Sequence, residues 1–256
     1  MDRSSCDTRR PVRGELGARV APADVRLSNV KLQAVLFDLD DTLLDRRGSF
    51  EQFVRDQWTR SAPRVQAIDQ EQYVQTLIEL DRNGYAPRKG LFGGLTARFG
   101  LPPDVADSLL TDYRTGFPHA CQLFPDAMQT LSSIRAAGLK LGLITNGSLR
   151  MQSRKLQCLA LASAFDTVLI SDAEGVSKPD VRIFQRALER LAVEPAAAAF
   201  VGDNPEVDVA GARAAGMRAI WRRDPSRTGT VEADAVVDQL ADLVAVLGLP
   251  RHVPLT

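Results

Sequence analysis

The chain has 256 residues, 45% of them apolar, and its 32 basic and 32 acidic side chains cancel. That is enough apolar material for a sizeable core in one large domain or two smaller ones. Zero net charge argues against binding nucleic acid by phosphate neutralisation, and no apolar run approaches the ~20 residues of a membrane span. Three scattered cysteines, Cys6, Cys121 and Cys158, suit a reducing, cytoplasmic setting better than a disulfide framework.

Residues 1–30 are rich in Pro, Gly, Ser and Arg, and no apolar run follows the arginines, so a disordered extension is expected there. The first apolar run is Leu32–Phe37. The interval 46–120 then carries four stripes at helical spacing. They are Phe50, Phe53, Val54 and Trp58; Tyr73, Val74, Leu77 and Ile78; Leu91, Leu95 and Phe99; and Val105, Leu109, Leu110 and Tyr113. With no convincing strand among them, they predict a small helical domain inserted after the first strand. Beyond it, Met128, Leu131 and Ile134 predict a helix after Pro125, and Ile183, Phe184, Ala187, Leu188 and Leu191 predict another. Four further short apolar runs, Leu139–Ile144, Thr167–Ile170, Ala198–Val201 and Met217–Trp221, alternate with these helices, and a weaker run lies at Ala235–Val237. Short apolar runs bounded by turn residues suit strands buried on both faces. Their alternation with helices predicts an α/β fold with a parallel sheet, a core made of residues 31–45 and 121–256.

The strand ends carry the polar chemistry, where open parallel sheets bind their ligands. The first ends in Phe37-Asp38-Leu39-Asp40-Asp41-Thr42. If the chain turns there, Asp38 and Asp40 face one site, and one carboxylate can attack while the other moves a proton. Asp41 reads as a helix-capping acid. The second strand ends in Thr145-Asn146-Gly147-Ser148, a hydroxyl and a turn opening a helix, which makes a phosphate cradle with backbone N–H groups. Lys178 follows the third strand. Gly202-Asp203-Asn204-Pro205-Glu206-Val207-Asp208 follows the fourth. Carboxylates gathered without His or Cys repel one another unless a hard cation joins them, which points to Mg²⁺.

As a set, these segments resemble the four motifs of the haloacid-dehalogenase-like superfamily, in order and spacing. The resemblance continues through Lys178-Pro179-Asp180 and Gly211-Ala212 and spans Leu32 to the end of the chain. It implies a Rossmann-like parallel sheet with an inserted all-helical cap of the first type over residues 46–120. It implies that Asp38 is a nucleophile forming an aspartyl-phosphate and that Asp40 is the general acid and then base. Thr145, Asn146 and Lys178 would hold the phosphoryl group. Asp38, Asp203 and the Asp40 carbonyl would bind Mg²⁺, with Asp208 behind them. Because Asp40 is present, the resemblance favours phosphatase chemistry over dehalogenation. A helical cap implies a small phosphorylated metabolite, such as a sugar phosphate, phosphoglycolate or a nucleotide, and neither nucleic acid nor membrane. A monomer or homodimer is expected. Alternatives are a phosphomutase of the same superfamily and a catalytically silent metabolite-binding regulator. Arg88 or Lys89, beside Gly90, is a candidate contact from the cap to the substrate.

Overall fold

A computed structural model of the protein describes residues 30–84, 86–224 and 231–250, and only the backbone at Arg88 and Lys89. The extension expected over residues 1–30 lies outside the described residues apart from Val30, and so do the side chains of Arg88 and Lys89.

In chain order the elements are β1 (Ala34–Phe37), α1 (Arg46–Arg60), α2 (Ala62–Val65), α3 (Gln70–Asp81), α4 (Arg88–Phe99), α5 (Pro103–Ala120) and α6 (Ala127–Ala136). There follow β2 (Lys140–Thr145), α7 (Leu149–Cys158), β3 (Thr167–Ile170), α8 (Ser171–Glu174) and α9 (Val181–Leu191). The chain then forms β4 (Ala198–Gly202), α10 (Ala210–Ala214), β5 (Arg218–Arg222), β6 (Ala235–Val237) and α11 (Leu243–Val246). The strands form one parallel sheet in the order β3-β2-β1-β4-β5-β6. Each of the six apolar runs therefore supplies a strand, and the α/β reading holds.

Burial on both faces explains why the runs are continuous. All four residues of β1 are buried. Ala34 and Leu36 join Ile144, Phe184, Leu188 and Phe200 on one face, while Val35 and Phe37 join Leu131, Ile134 and Leu143 on the other. Successive side chains of a strand point to opposite faces, so both faces must be apolar here. Helix α9 buries all five of its expected residues, and the Asp180 side chain accepts the Arg182 N–H at its start. Helix α6 departs from expectation at one position. It buries Ala127, Thr130, Leu131 and Ile134, whereas Met128 is 46% exposed. The buried set follows the i, i+3, i+4, i+7 rule, and Met128 lies one residue off that face.

Among the described residues the interval 46–120 holds helices and no strand, and its four stripes fall on α1, α3, α4 and α5. Phe50, Phe53, Tyr113 and Phe117 meet with centroids 5.0–6.2 Å apart, edge to face except for the stacked pair Tyr113 and Phe117. Gln57, fully buried, ties three helices together. Its amide donates to the Leu109 carbonyl (3.0 Å) and to Asp112 (2.9 Å), and its oxygen accepts from Tyr73 (2.9 Å). The chain enters and leaves this layer side by side: the Asp45 N–H donates to the Gln122 carbonyl (3.0 Å) and the Phe124 N–H to the Leu43 carbonyl (2.9 Å).

The strand order places a topological switch beside β1. The chain leaves β1 toward β2 and leaves β4 toward β5, in opposite directions, although β1 and β4 are neighbours. Such a switch opens a crevice at the carboxyl ends of the strands.

Candidate active site

At that crevice the Asp38 N–H still donates to the Val201 carbonyl (2.9 Å), extending the ladder, and then the chain turns. Thr42, Leu43 and Leu44 all donate N–H groups to the Leu39 carbonyl (3.3, 3.0 and 2.9 Å), and Asp41 takes a left-handed φ of 59°. Aspartate tolerates that region better than most residues because its short side chain bonds locally. Here the Asp41 carboxylate accepts the Arg47 N–H in the first turn of α1 (3.0 Å), although the N-cap itself is Asp45, which accepts the Gly48 N–H. Leu39 is buried, while Asp38 and Asp40 line one cavity.

Lys178 reaches this cavity from the loop after α8. Its ammonium contacts Asp38 Oδ1 at 2.5 Å and Asp208 Oδ1 at 2.7 Å. Burial disfavours the ammonium, but Asp208 and Asp38 outweigh it and push the lysine pKa up. Burial also raises the Asp38 carboxyl, to about 7; Lys178 opposes that shift, and Asp208 and Asp40 reinforce it. Asn146 fixes the lysine backbone. Its amide donates to the Lys178 carbonyl (2.9 Å) and its oxygen accepts the Lys178 N–H (3.0 Å). The Asn146 side chain is thus committed to positioning Lys178.

Asp40 faces the other wall. Lys155 Nζ lies 2.6 and 2.9 Å from its two oxygens, and Gln152 donates to it at 2.9 Å while also donating to Thr145 Oγ1 at 2.6 Å. Burial would raise the Asp40 carboxyl, but Lys155, Arg46 and these hydrogen bonds together hold it below the usual carboxylate range. Gln152 and Lys155 were not singled out by the sequence reading. The available signal was two polar residues three apart on α7, the helix that starts just after Thr145, with Leu156 buried beside them.

Asp203 and Asp208 come from the end of β4. Asp203 accepts from Thr42 (3.4 Å), and its carbonyl accepts from the Trp221 ring N–H (2.9 Å). Asp208 Oδ2 accepts the Asn204 N–H (3.0 Å), and Asn204 in turn accepts the Glu206 and Val207 N–H groups (3.0 and 3.1 Å). Carboxylate oxygens of Asp38, Asp203 and Asp208, all buried, lie within 4.8 Å of one another. The Asp40 carboxylate stands apart from this group, turned toward Lys155. With Asp208 engaged by Lys178 and Asn204, the buried hard-oxygen donors Asp38 and Asp203 fit a divalent cation such as Mg²⁺.

The family model for haloacid dehalogenase-like hydrolases matches residues 32–216. The chain belongs to this family. It is 30% identical over 233 residues to the glyceraldehyde 3-phosphate phosphatase of Pyrococcus furiosus, covering 85% of this chain and 93% of that one. A 99-residue stretch is 50% identical to the phosphoserine phosphatase of Thermus thermophilus, covering 39% of this chain and only 40% of that protein. Among solved structures, a 2-haloacid dehalogenase of Pseudomonas syringae superposes with a TM-score of 0.58 at 33% identity, over 85% of this chain and 98% of the other. Both kinds of chemistry thus share the fold, and the residues at the crevice must separate them.

One glycine in this hydrolase core is needed for close approach. A Cβ on Gly202 would overlap both Cβ and Cγ of Asp208. Gly202→Ala must therefore push Asp208 away, and with it Lys178. We expect a stability loss of about 1–3 kcal/mol from overpacking. Turnover should fall on the order of 10²-fold from the displaced lysine. Denaturant midpoints and kcat measured side by side check both; an alanine variant with native kcat would contradict the stated coupling.

Proposed function

We propose that the protein is a Mg²⁺-dependent phosphatase of small phosphate monoesters that works through an aspartyl-phosphate on Asp38. The observation that carries this reading is Asp40, a second carboxylate in the same cavity, held by Lys155 and Gln152 and linked through Gln152 to Thr145. Expelling a halide needs no proton donor, whereas expelling an alkoxide does. The relatives named as phosphatases support the same choice.

The steps follow from the side chains. An Asp38 oxygen attacks phosphorus and the bond to the leaving oxygen breaks, while Asp40 gives that oxygen a proton. Water then attacks the phosphorus of the aspartyl-phosphate, Asp40 takes the water's proton, and inorganic phosphate leaves. Lys155 and Gln152 favour the ionised Asp40 that the second step uses. A bound phosphoryl anion beside Asp40 pulls its pKa the other way and so supports the proton donor of the first step. Lys178 and the Thr145 hydroxyl offset and orient the phosphoryl oxygens. Mg²⁺ bound by Asp38, Asp203 and the Asp40 carbonyl would lower the repulsion between the nucleophile and its anionic substrate. Asp208, with both oxygens engaged by Lys178 and Asn204, holds the lysine in place.

The helices of residues 46–120 would act as a cap. The cavity, about 820 Å³, takes lining from both layers, including Asn83, Gly84 and Tyr113 above and the strand ends below. A cap of this kind excludes bulk water and limits the substrate to a small molecule. No helix among the described residues is long and apolar enough to cross a membrane. A cytoplasmic metabolite phosphatase is the reading we adopt.

The test is phosphate release from a panel of small phosphomonoesters, with Mg²⁺ and with chelator. Turnover that needs the cation is expected. Absence of turnover on every ester, from folded protein with Mg²⁺, would sink the phosphatase reading and favour a mutase or a regulator.

A further inference from the structure

The cations in the cavity fall into two groups. Lys178, Lys155 and Arg46 are each paired with carboxylates, namely Asp38 and Asp208, Asp40, and Asp81. Arg114, Arg150 and Arg154 line the same cavity and have no hydrogen-bond or ion-pair partner among the described residues. Arg150 and Arg154 lie one turn apart on α7, so their side chains share a face and repel each other. Arg150 also sits in the first turn of that helix, where the macrodipole favours anions and disfavours cations. Arg114 comes from α5, the helix packed against α7. Three unpartnered arginines, Arg114 and Arg150 exposed and Arg154 half-buried, thus line one cavity from two packed helices, and the helix dipole opposes Arg150. A conflict of this kind is resolved when an anion binds between them.

We propose that Arg114, Arg150 and Arg154 form a subsite for a second anionic group on the substrate, a carboxylate or a phosphate carried by the leaving group. This deepens the phosphatase reading and rests on it. The shape agrees with the charge. With the phosphoryl group against Asp38 and Lys178, a cavity of about 820 Å³ would leave room for a leaving group extending toward the arginines. Guanidinium groups suit this task because their planar donors engage both oxygens of a carboxylate or phosphate. The substrate class is therefore a small phosphate ester with two negative centres, such as a phosphorylated hydroxy acid or a bisphosphate.

The test uses three esters on one three-carbon chain: propyl phosphate, 3-phosphooxypropanoate and 1,3-propanediol bisphosphate. With the Mg²⁺-loaded protein, one or both of the doubly anionic esters should exceed propyl phosphate in kcat/KM by about tenfold or more, mainly through KM, the size expected for charge-assisted contacts. Whichever of the two leads shows whether carboxylate or phosphate is preferred. Arg114→Gln, Arg150→Gln and Arg154→Gln should each shrink that ratio toward one. Equal kcat/KM for all three esters, or variants that lower all three alike, would overturn the subsite while leaving the phosphatase intact. If none of the esters is hydrolysed, the phosphatase reading falls. Calorimetric titration with the bisphosphate and propyl phosphate then decides the subsite by itself: tighter binding of the bisphosphate that the arginine variants lose supports it, and equal affinity overturns it.

Discussion

Asp38→Asn should abolish phosphate release, by on the order of 10⁴-fold or more, without unfolding the protein. The loss follows from removing the attacking oxygen while every neighbour stays in place. Stability should move in the opposite direction. Burial raises the Asp38 carboxyl from its ordinary 3.8 to about 7, so the folded protein pays to ionise it. Below about pH 4 both folded and unfolded chains hold the proton, and the native protein and the Asp38→Asn variant differ only by the Lys178 hydrogen bond. Between about pH 4 and 7 the unfolded chain binds fewer protons than the folded one, so native stability falls as pH rises. Asparagine has no proton to lose. In chelator, the stability difference should therefore shift in favour of the variant across that window and level off above it. Added Mg²⁺ should reverse the shift for the native protein, because a cation stabilises the ionised form. Denaturant titrations of the two proteins across pH, with and without Mg²⁺, check this. A native protein that gains stability over the variant between pH 4 and 7 in chelator would contradict the electrostatics described here.

The largest expected stability effect falls on Arg46, a cation that also lines the cavity. Arg46 on α1 and Asp81 at the end of α3 form a two-pronged buried pair, with both N···O distances 2.8 Å. Asp81 also accepts the Gly84 N–H at 2.8 Å, and the Arg46 guanidinium lies over the Phe50 ring, 5.3 Å from its centroid. Arg46→Met keeps most of the side-chain volume but removes both charge-assisted bonds that Arg46 gives to the buried Asp81 carboxylate. Breaking a buried pair in this way costs roughly 3–5 kcal/mol. That is a large part of the ~5–15 kcal/mol that holds a typical protein folded. Most of the loss should return in Arg46→Met/Asp81→Leu, since two apolar residues leave no buried carboxylate that has lost its Arg46 bonds. Urea unfolding of the single and double variants checks this. A single variant within about 1 kcal/mol of native would place the pair among surface ion pairs in strength.

The sheet was legible because strands buried on both faces must be continuously apolar, as Ala34–Phe37 and Ala198–Gly202 are. Helix faces were legible less finely. Met128, Leu131 and Ile134 share a spacing of three, which drifts off a helix face, and the true face runs through Ala127 and Thr130, which hydrophobicity alone does not mark. At the site, Asp38 and Asp203 meet because each lies just beyond the carboxyl end of a parallel strand, so chain position predicts place, while Lys178 arrives from the loop after α8. Gln152 and Lys155 meet Asp40 from α7, which packs against α5 and α8, more than a hundred residues away in sequence. The role of Asn146 depends on side-chain direction, which residue order does not encode. Arg46 and Asp81 are 35 residues apart on separate helices, and only the packing of α1 on α3 joins them.

The most direct test of the central claim is mass spectrometry of protein quenched in acid during turnover of a good ester with Mg²⁺. The account predicts a phosphoryl adduct, cleaved by hydroxylamine, on the peptide containing Asp38, and none in Asp38→Asn. An adduct on another residue, or steady turnover with no adduct at any quench time, would contradict it.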